Sequence, residues 1–160
     1  MKVYLNVYDI TKYNRYIHIL GLGAYHTGIE VNNTEYAYGY NFTDETGVFR
    51  TVPGIHHSLS LCERIYMGET TKTPDEIFDI ISSLSEDFLG KDYHLLLKNC
   101  NHFSDTLCKI LVSRSIPNRV NRVSQVAHCL SCFLPPSIWN SVLEDDRPLK
   151  AQKPKYSDFI

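Results

Sequence analysis

Apolar and polar positions alternate through residues 2–10. Val3, Leu5 and Val7 fall on one side and Tyr4, Asn6 and Tyr8 on the other, which is the period of a half-buried strand. Residues 11–25 lose that period, being polar and then glycine-rich at Gly21-Leu22-Gly23, and read as a loop. Residues 26–31 and 34–40 resume it on either side of Asn32-Asn33, a pair that tolerates the positive φ of a two-residue hairpin turn. With that turn Ile29 faces Tyr36 and Val31 faces Thr34 on the core side. His26 then lies on the opposite face, level with Gly39 and beside Gly28 and Ala37, and these small neighbours predict open space around its imidazole. Residues 47–52 and 58–67 read as two further strands, the first stopped by Pro53-Gly54.

At Thr73 the period becomes helical. Thr73-Pro74-Asp75-Glu76 combines a cap, a proline at the first helical position and a glutamate three residues after the cap. The stripe Ile77, Ile80, Ile81, Leu84 and Phe88 follows, with Gly90 as the stop. A second helix is predicted from Asn99 or Cys100 to Ser113, with Phe103, Leu107, Ile110 and Leu111 on its apolar stripe. A third starts near Pro117 and runs through Val120, Val123, Val126, Ala127 and Leu130 to the break at Pro135-Pro136. Strands followed by helices, without βαβ alternation, give an α+β fold of N-terminal antiparallel strands and about three helices. Residues 1–142 form the expected domain. Residues 143–160, charged and proline-containing, are expected to be a flexible tail.

Composition narrows the function classes. The 160 residues are 43% hydrophobic and 21% charged with a net charge of −2, which suits a folded domain and offers no basic field for nucleic acid. No apolar run is long enough for a transmembrane segment, and residues 1–10 lack the features of a secretory signal. Five cysteines, an odd number without such a signal, favour reduced thiols and a cytoplasmic location, with the nucleus also open.

Cys100 is the most informative of the five. A helix start supplies free N–H groups and the positive dipole end, which favour a thiolate and can hold an oxyanion. His102 is nearest in sequence but points away, because residues two apart on a helix do not share a face. His26 is distinguished by its small strand neighbours, whereas His56-His57 falls in a loop, His94 precedes an apolar run, and His18 and His128 have no distinguishing neighbours. Cys62, on a strand, and Cys108, on the helical stripe, read as core. Cys129-x-x-Cys132 has no second pair at zinc spacing and closes a helix instead of opening one, so neither a metal nor a cofactor is expected. Spacing alone leaves a Cys–His pair open beside a purely structural reading of both residues.

Two longer motifs then carry a resemblance. Gly21-Leu22-Gly23-Ala24-Tyr25-His26-Thr27-Gly28-Ile29-Glu30-Val31, continued by Glu35-Tyr36-Ala37-Tyr38-Gly39, resembles the histidine motif of the PPPDE family, also called the DeSI family of permuted papain-fold cysteine peptidases. Lys98-Asn99-Cys100-Asn101-His102-Phe103-Ser104 resembles its cysteine motif, and Tyr93-His94-Leu95, Ile116-Pro117 and Asn121-Arg122 fit as well. The resemblance runs from about Tyr4 to Pro136 and is strongest to the DeSI-2-type branch. It implies a papain-like fold with permuted chain order, His26 as base and Cys100 as nucleophile. The implied activity is removal of ubiquitin or SUMO from proteins through a thioester intermediate, without a cofactor. An S-acyl (palmitoyl) protein thioesterase and a non-catalytic module that binds ubiquitin-like proteins are the alternatives, and a homodimer is open. No third residue that orients His26 is apparent. Glu30 shares its face but lies about 13 Å away at the usual strand rise, and Asn6, Tyr8 and Asp9 on the first strand are candidates only.

Truncation after Val142 leaves a soluble domain with unchanged thermal unfolding, checked by circular dichroism; loss of folding would mean that Tyr156 or Phe159 docks on the core.

Overall fold

The computed structural model describes residues 1–10 and 25–120. Five strands come first: β1 (Lys2–Asp9), β2 (Tyr25–Val31), β3 (Thr34–Tyr38), β4 (Val48–Thr51) and β5 (Ser60–Glu69). Helix α1 (Pro74–Asp87), a short 3-10 turn (Gly90–Asp92) and helix α2 (Cys100–Val112) follow. The strands form one antiparallel sheet in the order β4-β3-β2-β1-β5. This is the α+β order that the periodicity predicts. Residues 118–120 are helical, and the remainder of the predicted third helix lies outside the described residues, as do the 11–24 loop and the tail. Among the described residues no helix is long and apolar enough to cross a membrane.

The hairpin forms in the predicted register. Asn32 and Asn33 take φ of 49° and 58°, the left-handed pair that matches strand twist, and Ile29 pairs with Tyr36 and Val31 with Thr34. Register fixes the faces. Val3, Leu5, Val7, Ile29, Val31 and Tyr38 are buried in the core beneath the helices. Asn6, Tyr8, Gly28 and Glu35 share the other face with His26, since side chains alternate along each strand.

Helix α1 begins at the predicted cap. Thr73 Oγ1 accepts from the Glu76 amide, and the Glu76 carboxylate accepts from the Thr73 amide at 2.7 Å. It ends at Asp87 with Phe88 as its cap, short of Gly90, because the segment after it turns to pair with the loop ahead of β4: the Gly47 amide donates to Phe88 O and the Gly90 amide to Glu45 O. In α2, Phe103, Leu107, Cys108 and Leu111 are buried, but Ile110 is 40% exposed and drops off the predicted stripe. Phe103 closes an aromatic core, packing edge-on to Phe88 at 5.3 Å and tilted against Tyr38 at 6.3 Å.

Thr27 fastens α2 to the sheet. Its Oγ1 lies 2.9 Å from both Asn101 Oδ1 and Ser104 Oγ, and all three residues are buried. Phe103→Ala should lower the free energy of unfolding by about 3–5 kcal/mol, the usual cost of emptying a buried aromatic site, as read by urea denaturation followed by tryptophan-independent circular dichroism. Thr27→Val should cost about 1–3 kcal/mol by stranding buried polar groups.

Candidate active site

The nucleophile candidate is placed by its helix cap. Asn99 sits in extended backbone ahead of Cys100, and its Oδ1 accepts from the amides of Asn101 (3.0 Å) and His102 (3.2 Å). Its Nδ2 donates to Leu95 O at 2.5 Å, tying the cap to the preceding loop. His102 folds back into the same cap, its Nδ1 accepting from the Asn99 amide at 3.3 Å. It therefore serves the helix start, in agreement with the prediction that it points away from Cys100.

The Cys100 thiol is 2% exposed and surrounded by polar atoms of three elements. Tyr93 Oη donates to the sulfur at 3.9 Å, and the sulfur lies 3.9 Å from Tyr25 O and 3.8 Å from Asn101 Oδ1. The Thr27 amide also hydrogen-bonds it. Strand β3 ends at Tyr38, so its ladder with β2 stops at the Gly28–Ala37 pair, and the thiol docks on the part of β2 beyond that point. Its contacts fall on Tyr25 and Thr27, the residues on either side of His26. Burial pushes the thiol above its ordinary pKa, and the hydrogen bonds from Thr27, Tyr93 and the first amides of α2 pull the other way. The helix N-terminus thus helps the thiolate as predicted, but loss of water around the sulfur is the larger effect.

The His26 side chain projects from the face of the sheet turned away from the apolar core, from a backbone whose neighbours on either side touch the sulfur. It stacks on Phe49 (centroids 6.4 Å apart, 6° between planes) and packs near His56 (5.3 Å) and Tyr8 (6.1 Å). No hydrogen bond joins it to the Cys100 thiol among the described residues. Burial lowers its pKa to about 4, with the Glu35 carboxylate opposing the shift. A neutral imidazole and a neutral thiol therefore face a reaction at pH 7. The open space predicted around His26 is absent. A methyl group at Gly28 would stand 2.3 Å from Glu35 Oε1, and one at Gly39 would stand 3.3 Å from the Phe49 ring. The small residues make room for larger neighbours, because a folded interior closes up such gaps.

Two participants went unrecognised in the sequence. His56 reads as a loop residue, yet the loop returns it to the sheet. Its Nδ1 accepts from the amides of Ser58 (3.3 Å) and Leu59 (3.2 Å), which leaves the proton on Nε2, and burial holds its pKa at about 4. Pro53-Gly54 marks the turn but not its direction. Glu35 reads only as part of a motif, yet it is 1% exposed and central to the His26 face. Of the first-strand candidates, Tyr8 and Asn6 both bond Glu35, and Asp9 bonds Cys62.

The other candidates resolve simply. Cys108 is core, whereas Cys62 is exposed, because β5 is a sheet edge and Cys62 falls at the register shift between Leu61 and Glu63. His94 Nδ1 accepts from the Leu96 and Leu97 amides and fixes a tight turn. His18, His128, Cys129 and Cys132 lie outside the described residues. Among the described residues no three His, Cys, Asp or Glu side chains converge as a metal site.

Comparison with known proteins decides the family. Residues 1–137 match the family model described as "PPPDE putative peptidase domain". The chain belongs to the PPPDE family. It is 37% identical over 136 residues to a DeSI-like protein of Arabidopsis thaliana, a match covering 85% of this chain and 61% of the relative. It is 40% identical over 129 residues to a desumoylating isopeptidase 1 homolog of Caenorhabditis elegans, covering 78% and 39%. A DeSI-like protein of Schizosaccharomyces pombe is 36% identical over 151 residues, covering 90% and 72%. The match thus spans 61% and 39% of the lengths of the plant and nematode relatives.

Two buried histidines of this PPPDE domain bear on its stability in acid. The folded values of His26 and His56, about 4, lie below the ordinary 6.5. Between those limits the unfolded chain takes up protons that the folded chain refuses, so stability falls as pH drops from 6.5 to 4 and levels off below. Urea unfolding across that window should show the decline, and His26→Phe should make it shallower.

Proposed function

We propose that this chain is a cysteine isopeptidase that removes a ubiquitin-like modifier from proteins, with Cys100 as nucleophile and His26 as base. The observation that carries this reading is the docking of the Cys100 thiol on the β2 backbone at Tyr25 and Thr27, which sets the root of the His26 side chain beside the sulfur. Membership of a peptidase family and relatives named desumoylating isopeptidases support it and favour SUMO among the modifiers.

The chemistry follows from the protonation states. The thiol proton passes to the neutral imidazole as sulfur attacks the isopeptide carbonyl, so His26 acts as a general base and no thiolate–imidazolium pair need exist beforehand. The Cys100 amide and the Tyr93 hydroxyl, which bond the sulfur in the resting site, would pass to the oxyanion as it forms, since the Asn101 and His102 amides are held by Asn99. Collapse breaks the C–N bond, the lysine amine leaves with the proton from His26, and water then cleaves the Cys100 thioester.

Purified protein should react with a SUMO vinyl-sulfone-type probe, more weakly with its ubiquitin counterpart, and lose both reactions in Cys100→Ser. His26→Ala should slow hydrolysis of a SUMO–fluorophore conjugate by about 10²–10⁴-fold, whereas Cys62→Ser leaves it unchanged. Turnover of an S-acyl fluorogenic substrate with neither probe reacting would assign the same pair to a thioesterase, and full activity in Cys100→Ser would overturn the nucleophile.

A further inference from the structure

The face of the sheet that carries His26 also buries a carboxylate that the proposed chemistry does not yet use. Glu35 Oε2 accepts from Asn6 Nδ2 at 2.6 Å, Tyr8 Oη at 2.9 Å and the Gly54 amide at 3.0 Å. All three partners are neutral donors. The neighbouring cation, Arg64, is engaged elsewhere, gripping both oxygens of Glu30 at 2.6 and 2.8 Å and lying 3.6 Å over the Tyr4 ring. Glu35 is therefore a buried acid satisfied by hydrogen bonds but not by a counter-charge, an expensive arrangement unless charge appears nearby at some stage of function.

Its position says where. The carboxylate occupies the space over Gly28, close enough that a Cβ there would collide with Oε1, Cγ and Cδ. Residue 28 is the same-face neighbour of His26, about 6.6 Å along the strand at the usual rise. Tyr8 links the two more closely: its hydroxyl donates to Glu35 while its ring packs near the imidazoles of both His26 and His56. Burial and Glu35 push the Tyr8 phenol well above its ordinary range, so it remains a donor.

We propose that Glu35 is the positioning residue of His26, acting through Tyr8 and through its own charge to hold the imidazole in place and to favour the imidazolium formed when the ring accepts a proton. The proposal rests on the reading of His26 as the base. It supplies the third member that the sequence lacks, and it explains why Glu30, although it shares the His26 face, is not that member: its charge is spent on Arg64.

The groups that face His26 set the sign of the test. Glu35 on β3 favours the charged ring; His56 from the 52–59 loop, itself flanked by His57, opposes it; Tyr8 and Phe49 are neutral; the Cys100 thiol, held by Tyr93, docks on the β2 backbone on either side of His26. Removing the Glu35 charge must therefore lower the pH at which His26 protonates. In protein labelled with 13C at histidine Cε1, with His26 assigned by loss of its signal in His26→Gln, Glu35→Gln should move the His26 midpoint down by about one pH unit. Glu35→Asp should restore most of it. A role confined to packing would alter stability without moving that midpoint. A folded Glu35→Gln variant whose His26 midpoint stays or rises overturns the proposal. If Glu35→Gln fails to fold, Tyr8→Phe still decides: removing the hydroxyl that links the carboxylate to the ring beside His26 should lower the His26 midpoint, and an unmoved midpoint is equally fatal. These titrations need no substrate. A protein inert toward SUMO and ubiquitin probes but showing the shift counts against the isopeptidase reading alone, and an active protein without the shift counts against Glu35 alone.

Discussion

One hydroxyl joins the two halves of this fold. Thr27, buried in the middle of β2, meets Asn101 and Ser104 in the first turns of α2, and all three residues are buried. A helix can slide or rotate against a sheet that offers only apolar surface; a buried three-way polar contact removes that freedom, since any shift strands a donor or acceptor in the interior. The helix start is consequently fixed to β2. The Asn99 cap fixes Cys100 relative to the helix, and the thiol is left against Tyr25 and Thr27. Asn101 adds a link onward through its Nδ2 to Val120 O at 3.2 Å.

The sheet serves two purposes with its two faces. Toward the helices it is apolar and aromatic, and that burial supplies most of the stability. Away from them it holds a polar cluster in which Asn6 donates to both Glu30 and Glu35, so the amide cannot flip without exposing an oxygen to two carboxylates. The orientation leaves Asn6 Oδ1 buried without a partner among the described residues. Such clusters are poor sources of stability but strong determinants of orientation, which suits a face that must hold imidazoles in defined positions.

Burial also sets the style of chemistry. The Cys100 thiol and the His26 imidazole are both shifted toward their neutral forms, the thiol upward and the imidazole downward, for the same reason: both are buried. In the proposed reaction, proton transfer between neutral partners creates charge only as the reaction proceeds, and a preorganised carboxylate such as Glu35 would act on that moment more than on the resting state.

Much of this was legible in the sequence because it depends on neighbours in the chain. The Asn32-Asn33 turn, the Thr73–Glu76 capping box, the start of α2 at Asn99 or Cys100 and the alternation of β1 and β2 are local, so residue type and period suffice. The pairing of Ile29 with Tyr36 followed from the turn length, and two motifs pointed to the family. Contacts between distant segments were not legible. Nothing in Gly28 and Gly39 says that Glu35 and Phe49 will fill their space, nothing in His56-His57 says that the loop returns to the sheet, and Cys62 looked like core because the sequence does not reveal which strand becomes an edge. The sequence alone determined the elements, their faces and the residue types available for chemistry. Only the tertiary structure decided which side chains share a buried volume, and with it the protonation of the thiol and imidazole, because desolvation is a property of surroundings that the chain order does not contain.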